Sequence, residues 1–247
     1  MIRFICAAIF VTLTVIISTP ILLLLWVFGL AAPHARDLAA RQIVRFFFWG
    51  IIKISGVDIT YIGLDRIPKK RGVVYISNHQ SMFDIIAVYN KFPGITGYLA
   101  KKELSKIPLF GLWMQFVHCI FVDRGNHDKA AESLRLGAEE LNTGISCYVF
   151  PEGTRNKGEE DELLPFKGGA FKIAEHARCP IVPIAITGTR RIFETHFPRI
   201  KPSHVTIEFC DPIDTTGVPE GGFFTVSDTC SKVITEAIRR AKSRSEV

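Results

Sequence analysis

The sequence predicts an α/β domain built on a mixed, largely parallel sheet flanked by helices, preceded by a pair of membrane-embedded helices. Three observations carry this expectation. From about Val57 onward, short apolar β-branched runs alternate with helical patterns, the arrangement that gives layered α/β structures. Most of those runs are apolar at nearly every position, as expected of strands buried on both faces. Ahead of them, residues 4–35 contain no Asp, Glu, Lys or Arg, and residues 4–32 are almost wholly apolar.

That first stretch is longer than the roughly 7–15-residue core of a signal peptide, and Gly29-Leu30-Ala31-Ala32 is a poor cleavage site, so a retained membrane segment is expected. At about 1.5 Å per residue it is long enough for a bilayer core of about 30 Å. Pro20 would kink it near its middle, which leaves a spanning helix and a segment that enters and returns on one side both open. Residues 41–54 mix Phe46, Phe47, Phe48 and Trp49 with Arg41, Arg45 and Lys53. That stretch is too short and too charged to span, and suits a helix at the headgroup boundary. Packing against the soluble domain is the alternative. Residues 1–56 therefore read as a membrane-anchoring segment and residues 57–247 as the α/β domain.

Within that domain the runs 73–76, 120–122, 147–150, 181–186 and 205–209 read as strands. Ala131, Leu134, Ala138 and Leu141 recur at helical spacing, with Asn142 and Gly144 as a stop. Val226, Cys230, Val233, Ile234, Ala237 and Ala241 repeat the pattern, with Ser227 as a cap and the basic residues 239–244 as a solvated helix end. The chain of 247 residues suffices for one sizeable core plus an appendage. Its net charge of +6 suits an anionic partner such as a phospholipid surface, a CoA thioester or an acidic carrier protein. Nucleic acid is disfavoured, because no basic run with interleaved aromatics and no nucleic-acid motif occurs. The six cysteines are never spaced C-x-x-C and read as small buried hydrophobes in a reducing compartment, with no metal site or disulfide framework expected.

Reactive groups in such a sheet gather on loops past the strand ends. Three loops stand out: Ser77-Asn78-His79 with Asp84 beyond it, Asp123-Arg124-Gly125, and Pro151-Glu152-Gly153-Thr154-Arg155. A carboxylate beside a histidine fixes its tautomer and stabilises the imidazolium, which makes a general base near neutral pH. Residues five apart on a regular helix are about 140° apart, so His79 and Asp84 can meet only if His79 lies in the turn before a helix that Asp84 begins. The segment from Ser81 to Asp84 also resembles a capping box, in which Asp84 would only satisfy backbone N–H groups. Gly153 permits close backbone approach, while Thr154, Arg155, Arg124 and Lys101 or Lys102 supply a hydroxyl and cations suited to phosphate oxygens. Glu152 could orient an arginine or cap a turn, and the structural role is preferred. Lys167-Gly168-Gly169 could form a helix N-terminal turn nearby.

In that order, Asn78-His79-x-x-x-x-Asp84, Phe121-x-x-Arg124, residues 150–155 and Pro180-Ile181-Val182-Pro183 resemble the four motif blocks of the glycerolipid acyltransferases. The 1-acylglycerol-3-phosphate acyltransferase branch is the nearest resemblance, over roughly residues 60–215. The resemblance implies that His79, oriented by Asp84, deprotonates the sn-2 hydroxyl of a lysophospholipid. That hydroxyl then attacks the thioester of acyl-CoA or acyl carrier protein, with no resident cofactor. It assigns Arg124, Glu152, Gly153, Thr154 and Arg155 to the acceptor's glycerol phosphate, with Lys101 as a helper. It also implies a monotopic protein held in one leaflet by its helix pair, with the catalytic domain on the cytoplasmic face. One departure is the block before Phe121, which reads His118-Cys119-Ile120 where the family commonly has a glycine; this bears on the local backbone and on acceptor headgroup choice. Remodelling of another lysophospholipid is the alternative. A serine lipid hydrolase is disfavoured by the lack of a G-x-S-x-G elbow.

Overall fold

Two long antiparallel helices lead into the domain. The computed structural model describes residues 1–69, 72–219 and 221–245. Helix α1 (Ile2–Gly29) runs unbroken through Pro20, and by length and composition it could cross a membrane. Its 28 residues make a rod of about 42 Å. The chain reverses at residues 30–32, not at Pro20, and α2 (Pro33–Ser55) returns along α1. Pro33 begins α2, where a missing N–H costs nothing, and Gly56 ends it at φ 68°, the left-handed conformation glycine adopts without penalty. Arg3, near the start of α1, lies against Gly56. Ile5, Ile9, Leu13, Ile16, Leu24 and Val27 are exposed along α1, an apolar stripe longer than soluble monomers present to water.

One side of α2 packs on the domain, the alternative weighed for this helix. Arg41 is buried and donates to the carbonyls of Phe92 (2.7 Å) and Pro93 (3.2 Å), and Arg45 donates to that of Asn90 (3.2 Å). The basic residues expected at a headgroup layer therefore hold α2 on the domain. Phe46 and Trp49 face outward.

The domain has seven strands: β1 (Asp58–Ile62), β2 (Val74–Ser77), β3 (Thr96–Lys101), β4 (Ile120–Val122), β5 (Ser146–Val149), β6 (Ile181–Thr187) and β7 (His204–Phe209). Their order in the sheet is β1-β7-β6-β2-β5-β3-β4, all parallel pairs except β6 with β7. Helices α3 (Phe83–Tyr89), α4 (Phe110–Phe116), α5 (His127–Asn142), α6 (Gly169–Ala177) and α7 (Phe223–Ser245) complete it. The sequence patterns anticipated five of these strands and omitted β1 and β3.

Strand alternation separates two cores. Val74 and Ile76 of β2 pack with Leu134, Phe171 and Ile234 of α5, α6 and α7. Tyr75 points the other way, into Phe83, Phe92, Tyr148 and Ile184, with Phe48 and Ile51 of α2 closing that side. Ser227 lies inside α7, which begins four residues earlier, so it is not the cap. The basic end of α7 is also less solvated than expected, since Arg240 pairs with Glu208 at 2.9 Å and Lys242 with Asp161 at 2.5 Å. Four of the cysteines are buried, whereas Cys6 is exposed on α1.

Candidate active site

Strand β2 ends at Ser77, and the next seven residues assemble a base. Asn78 Nδ2 donates to the Ile186 carbonyl (2.8 Å) and its Oδ1 accepts from Ile186 N–H (2.9 Å), which fastens the exit of β2 to β6. His79 follows in the turn, and Asp84 stands in the first turn of α3. Their separation is therefore bridged by a bend: His79 Nδ1 lies 2.8 Å from Asp84 Oδ2. The same Oδ2 accepts the backbone N–H groups of Gln80 (2.7 Å) and Ser81 (2.8 Å). The capping reading and the base-orienting reading are thus one arrangement, because the carboxylate that caps the turn is also the one that holds the imidazole.

Asp84 is 1% exposed, and its remaining oxygen is occupied as well. Thr189, buried on the turn after β6, donates its hydroxyl to Asp84 Oδ1 at 2.5 Å. A buried carboxylate needs such donors to stay ionised. Among the described residues no hydrogen bond occupies His79 Nε2, so with Nδ1 turned to Asp84 this nitrogen is the one left for a substrate proton. Phe150 stacks on the imidazole at 3.9 Å between ring centres, which fixes the ring plane.

Glu152 is buried and does what a strut does. Its Oε1 accepts the His79 N–H (2.8 Å) and its Oε2 that of Leu164 (3.0 Å). Burial pushes its carboxyl above the ordinary carboxylate range, against the pull of those two N–H groups. Neither Arg124 nor Arg155 pairs with it. Arg124 is exposed and donates to the Gly153 carbonyl at 2.8 Å, and Arg155 lies 3.6 Å from Glu194. Gly153 has φ 70°, and a Cβ there would stand 2.7 Å from Lys167 Nζ. The left-handed backbone favours glycine there, whereas a Cβ would have only to displace the end of the Lys167 side chain. Thr154 is exposed, and among the described residues its hydroxyl makes no hydrogen bond.

Arg124, Gly153, Arg155 and Lys167 are thus gathered on the loops that Glu152 ties to His79. Lys101 ends β3 opposite Val122, two residues before Arg124; it is exposed and pairs with Glu103 at 3.6 Å. Lys102 pairs with Asp123 at 2.9 Å. Two residues had no signal in the sequence. Thr189 and Glu194 sit on short turns after β6, and Glu194 accepts from Ser81 Oγ (2.7 Å) and Met82 N–H (2.8 Å) while facing Arg155. Only the topology, which puts β6 beside β2, brings them here.

His118, in the block where a glycine is common, adopts φ 60°, the left-handed backbone that glycine would take. It precedes β4 and points away from the site, with Nε2 2.9 Å from Asp37 of α2 and Nδ1 3.4 Å from Glu140 of α5. Its bearing is on how the helix pair docks.

A histidine–carboxylate pair at a strand exit, beside loops rich in cations, is the arrangement of an enzyme that moves a proton near an anion, and the apolar helix α1 is consistent with membrane association. Comparison with known proteins narrows the class. The model of the Acyltransferase family matches residues 58–187, more than half of the chain, and the chain belongs to that family. The 1-acyl-sn-glycerol-3-phosphate acyltransferase of Cocos nucifera is 34% identical over 82% of this chain and 63% of its own length. Those of Saccharomyces cerevisiae and Haemophilus influenzae are 32% and 31% identical, over 71% and 79% of this chain and 58% and 80% of their own lengths. The chain therefore spans less than two thirds of the yeast and coconut proteins. The crystal structure of the 1-acyl-sn-glycerophosphate (LPA) acyltransferase PlsC from Thermotoga maritima superposes with a TM-score of 0.81 over 98% of this chain and 95% of that one, at 23% identity, and so shares the fold.

Proposed function

We propose that this acyltransferase moves a fatty acyl group from acyl-CoA or acyl carrier protein to the sn-2 hydroxyl of 1-acylglycerol 3-phosphate, forming phosphatidic acid. The observation that carries the reading is His79: one nitrogen held by a fully bonded Asp84, the other unoccupied, beside loops bearing Arg124, Arg155 and Lys167. The three relatives' names supply the acceptor.

In this mechanism His79 Nε2 takes the proton of the sn-2 hydroxyl as its oxygen bonds to the thioester carbonyl. The tetrahedral intermediate then collapses, the C–S bond breaks, and the imidazolium returns the proton to the departing thiolate. Asp84 stabilises the transient imidazolium and holds the tautomer. Arg124 and Arg155 bind the acceptor phosphate, with Thr154 offering a hydroxyl and Lys101 a further charge. Glu152 acts through its two backbone contacts as a positioning residue. So written, the reaction uses the thioester as a donor substrate and no resident cofactor.

We place the protein in one leaflet, with the domain on the cytoplasmic face; the helix pair supports the first of these. Because α1 lies antiparallel to α2, and α2 is packed on the domain, α1 cannot stand across a bilayer without carrying the domain in with it. An acceptor resident in that leaflet would meet the site without leaving it.

The test supplies purified protein with labelled acyl-CoA or acyl carrier protein and a panel of acceptors including lysophosphatidic acid, glycerol 3-phosphate and other lysophospholipids. Phosphatidic acid should form from lysophosphatidic acid. Preference for another lysophospholipid would replace this reading with remodelling, and free fatty acid released regardless of acceptor would replace it with hydrolysis.

A further inference from the structure

A second cation-rich cavity lies at the other end of the sheet from His79. It encloses about 280 Å³ and is lined by Arg41, Arg45, Lys69, Asn90, Lys91 and three apolar neighbours of these, together with Phe92; none of the lining residues is acidic. Residues 90–93 follow α3 and precede β3, so they stand where the parallel strands begin, whereas His79 stands where β2 ends. The cavity is therefore separate from the acceptor site.

The walls are held in place. Arg41 and Arg45 each spend only Nη2 on the carbonyls of residues 90, 92 and 93, leaving their other N–H groups for a ligand. Lys91 Nζ rests 4.4 Å above the Tyr61 ring, and Lys69 is exposed. Asn90 Oδ1 is buried with no hydrogen-bond partner among the described residues. The surroundings are apolar. Trp49 lies one helical turn beyond Arg45, stacks with Phe46 at 5.8 Å, and both are exposed on the face of α2 between the cavity and the bare stripe of α1. Guanidinium forks converging beside exposed aromatics match a phosphate held at the boundary of a membrane.

We propose that this cavity binds the phosphate of an anionic phospholipid headgroup, with the acyl chains lying along Phe46, Trp49 and α1. The proposal is independent of acyl transfer, since neither the donor nor the acceptor is involved. A free phosphate shares the charge chemistry but gains nothing from the aromatic rim, which is why the lipid is favoured.

The full chain in neutral detergent is heated with increasing short-chain phosphatidylglycerol, phosphatidylcholine or inorganic phosphate, and the unfolding midpoint is followed. Phosphatidylglycerol should raise the midpoint saturably, phosphatidylcholine should not, and phosphate should not saturate in the same range. Replacing Lys69→Gln and Lys91→Gln together should raise the half-saturating concentration by about tenfold or more, as expected for lost charge-assisted contacts. Lys69→Arg with Lys91→Arg should preserve the response, which separates loss of charge from loss of fold. An undiminished response in the glutamine variant, an equal response to phosphatidylcholine, or saturation by phosphate at the lipid's concentration would each overturn the proposal.

Discussion

Two histidines in this chain sit beside carboxylates with nearly the same geometry, and they do opposite things. His79 lies 2.8 Å from Asp84 with its side chain 16% exposed; His118 lies 2.9 Å from Asp37 and is 17% exposed. The difference is in the second nitrogen. That of His118 faces Glu140 at 3.4 Å, whereas that of His79 has no partner among the described residues. A histidine clasped on both sides is a tie between elements, here α2, α5 and the entry of β4. Burial works against its protonation, but the hydrogen bonds to Glu140 and Asp37 carry its pKa above the ordinary 6.5. A histidine clasped on one side keeps a nitrogen for a further partner. Proximity to a carboxylate therefore does not by itself mark a base; the role proposed for His79 needs the second nitrogen vacant as well.

The largest effect that would break this contrast concerns His79. His79→Ala should lower acyl transfer by a factor on the order of 10²–10⁴ with an unchanged circular dichroism spectrum. Activity close to wild type would remove His79 from the chemistry. Next come the cations: Arg124→Ala or Arg155→Ala should raise KM for lysophosphatidic acid about tenfold to a hundredfold, the loss expected for a charged hydrogen bond of about 1.5–3 kcal/mol. An unmoved acceptor KM would place that arginine outside the acceptor site. Thr189→Val removes the donor to Asp84 Oδ1 and should reduce kcat roughly tenfold while leaving KM alone. A rise in KM without loss of kcat would mean that Thr189 shapes binding instead.

His118→Gly sharpens the contrast from the other side. Activity should stay within about threefold of wild type, because His118 makes no contact with the site. Stability should fall by less than about 2 kcal/mol, since Arg36 still pairs with Asp37 at 2.7 Å and glycine relieves the positive φ. Thermal denaturation measures this, and a kinetic defect without destabilisation would contradict it. The smallest effect is in pH. The folded state holds the His118 proton more tightly than the unfolded chain, so its stabilisation is fully present below about pH 6.5 and is lost as pH rises through the raised folded value. The melting temperature of wild type should fall over that range more than that of His118→Gly; parallel curves would show that His118 is not the group responsible.

Much of this architecture is legible in the chain. Strands β2, β5 and β6 are continuous apolar runs at the centre of the sheet, and their loops carry the residues that resemblance singles out. The two omitted strands lack that mark for physical reasons. β1 is an edge strand, half-exposed and carrying Asp58 and Thr60. β3 contains Gly97, because a Cβ there would meet the carbonyl oxygen of His118 at 1.7 Å, and glycine reads as a strand breaker. Thr189 and Glu194 were invisible because a lone threonine or glutamate on a turn has no pattern; only pairing of β2 with β6 gives them a role. The domain contacts of Arg41 and Arg45 were illegible for a similar reason, since periodicity shows that a helix has a basic side without saying what that side faces. Asp84 reads as either a cap or the partner of His79 because one oxygen, Oδ2, makes both sets of contacts.

The meeting of Arg3 with Gly56 has a consequence for biogenesis. The two ends of the helix pair emerge side by side, so Arg3 need not pass through hydrocarbon for the pair to enter a lipid layer tip first. Carrying one arginine past the centre of a bilayer costs at least about 2.5–3.5 kcal/mol. The charges that the pair does hold near its tip, Arg36 and Asp37, are paired with each other at 2.7 Å.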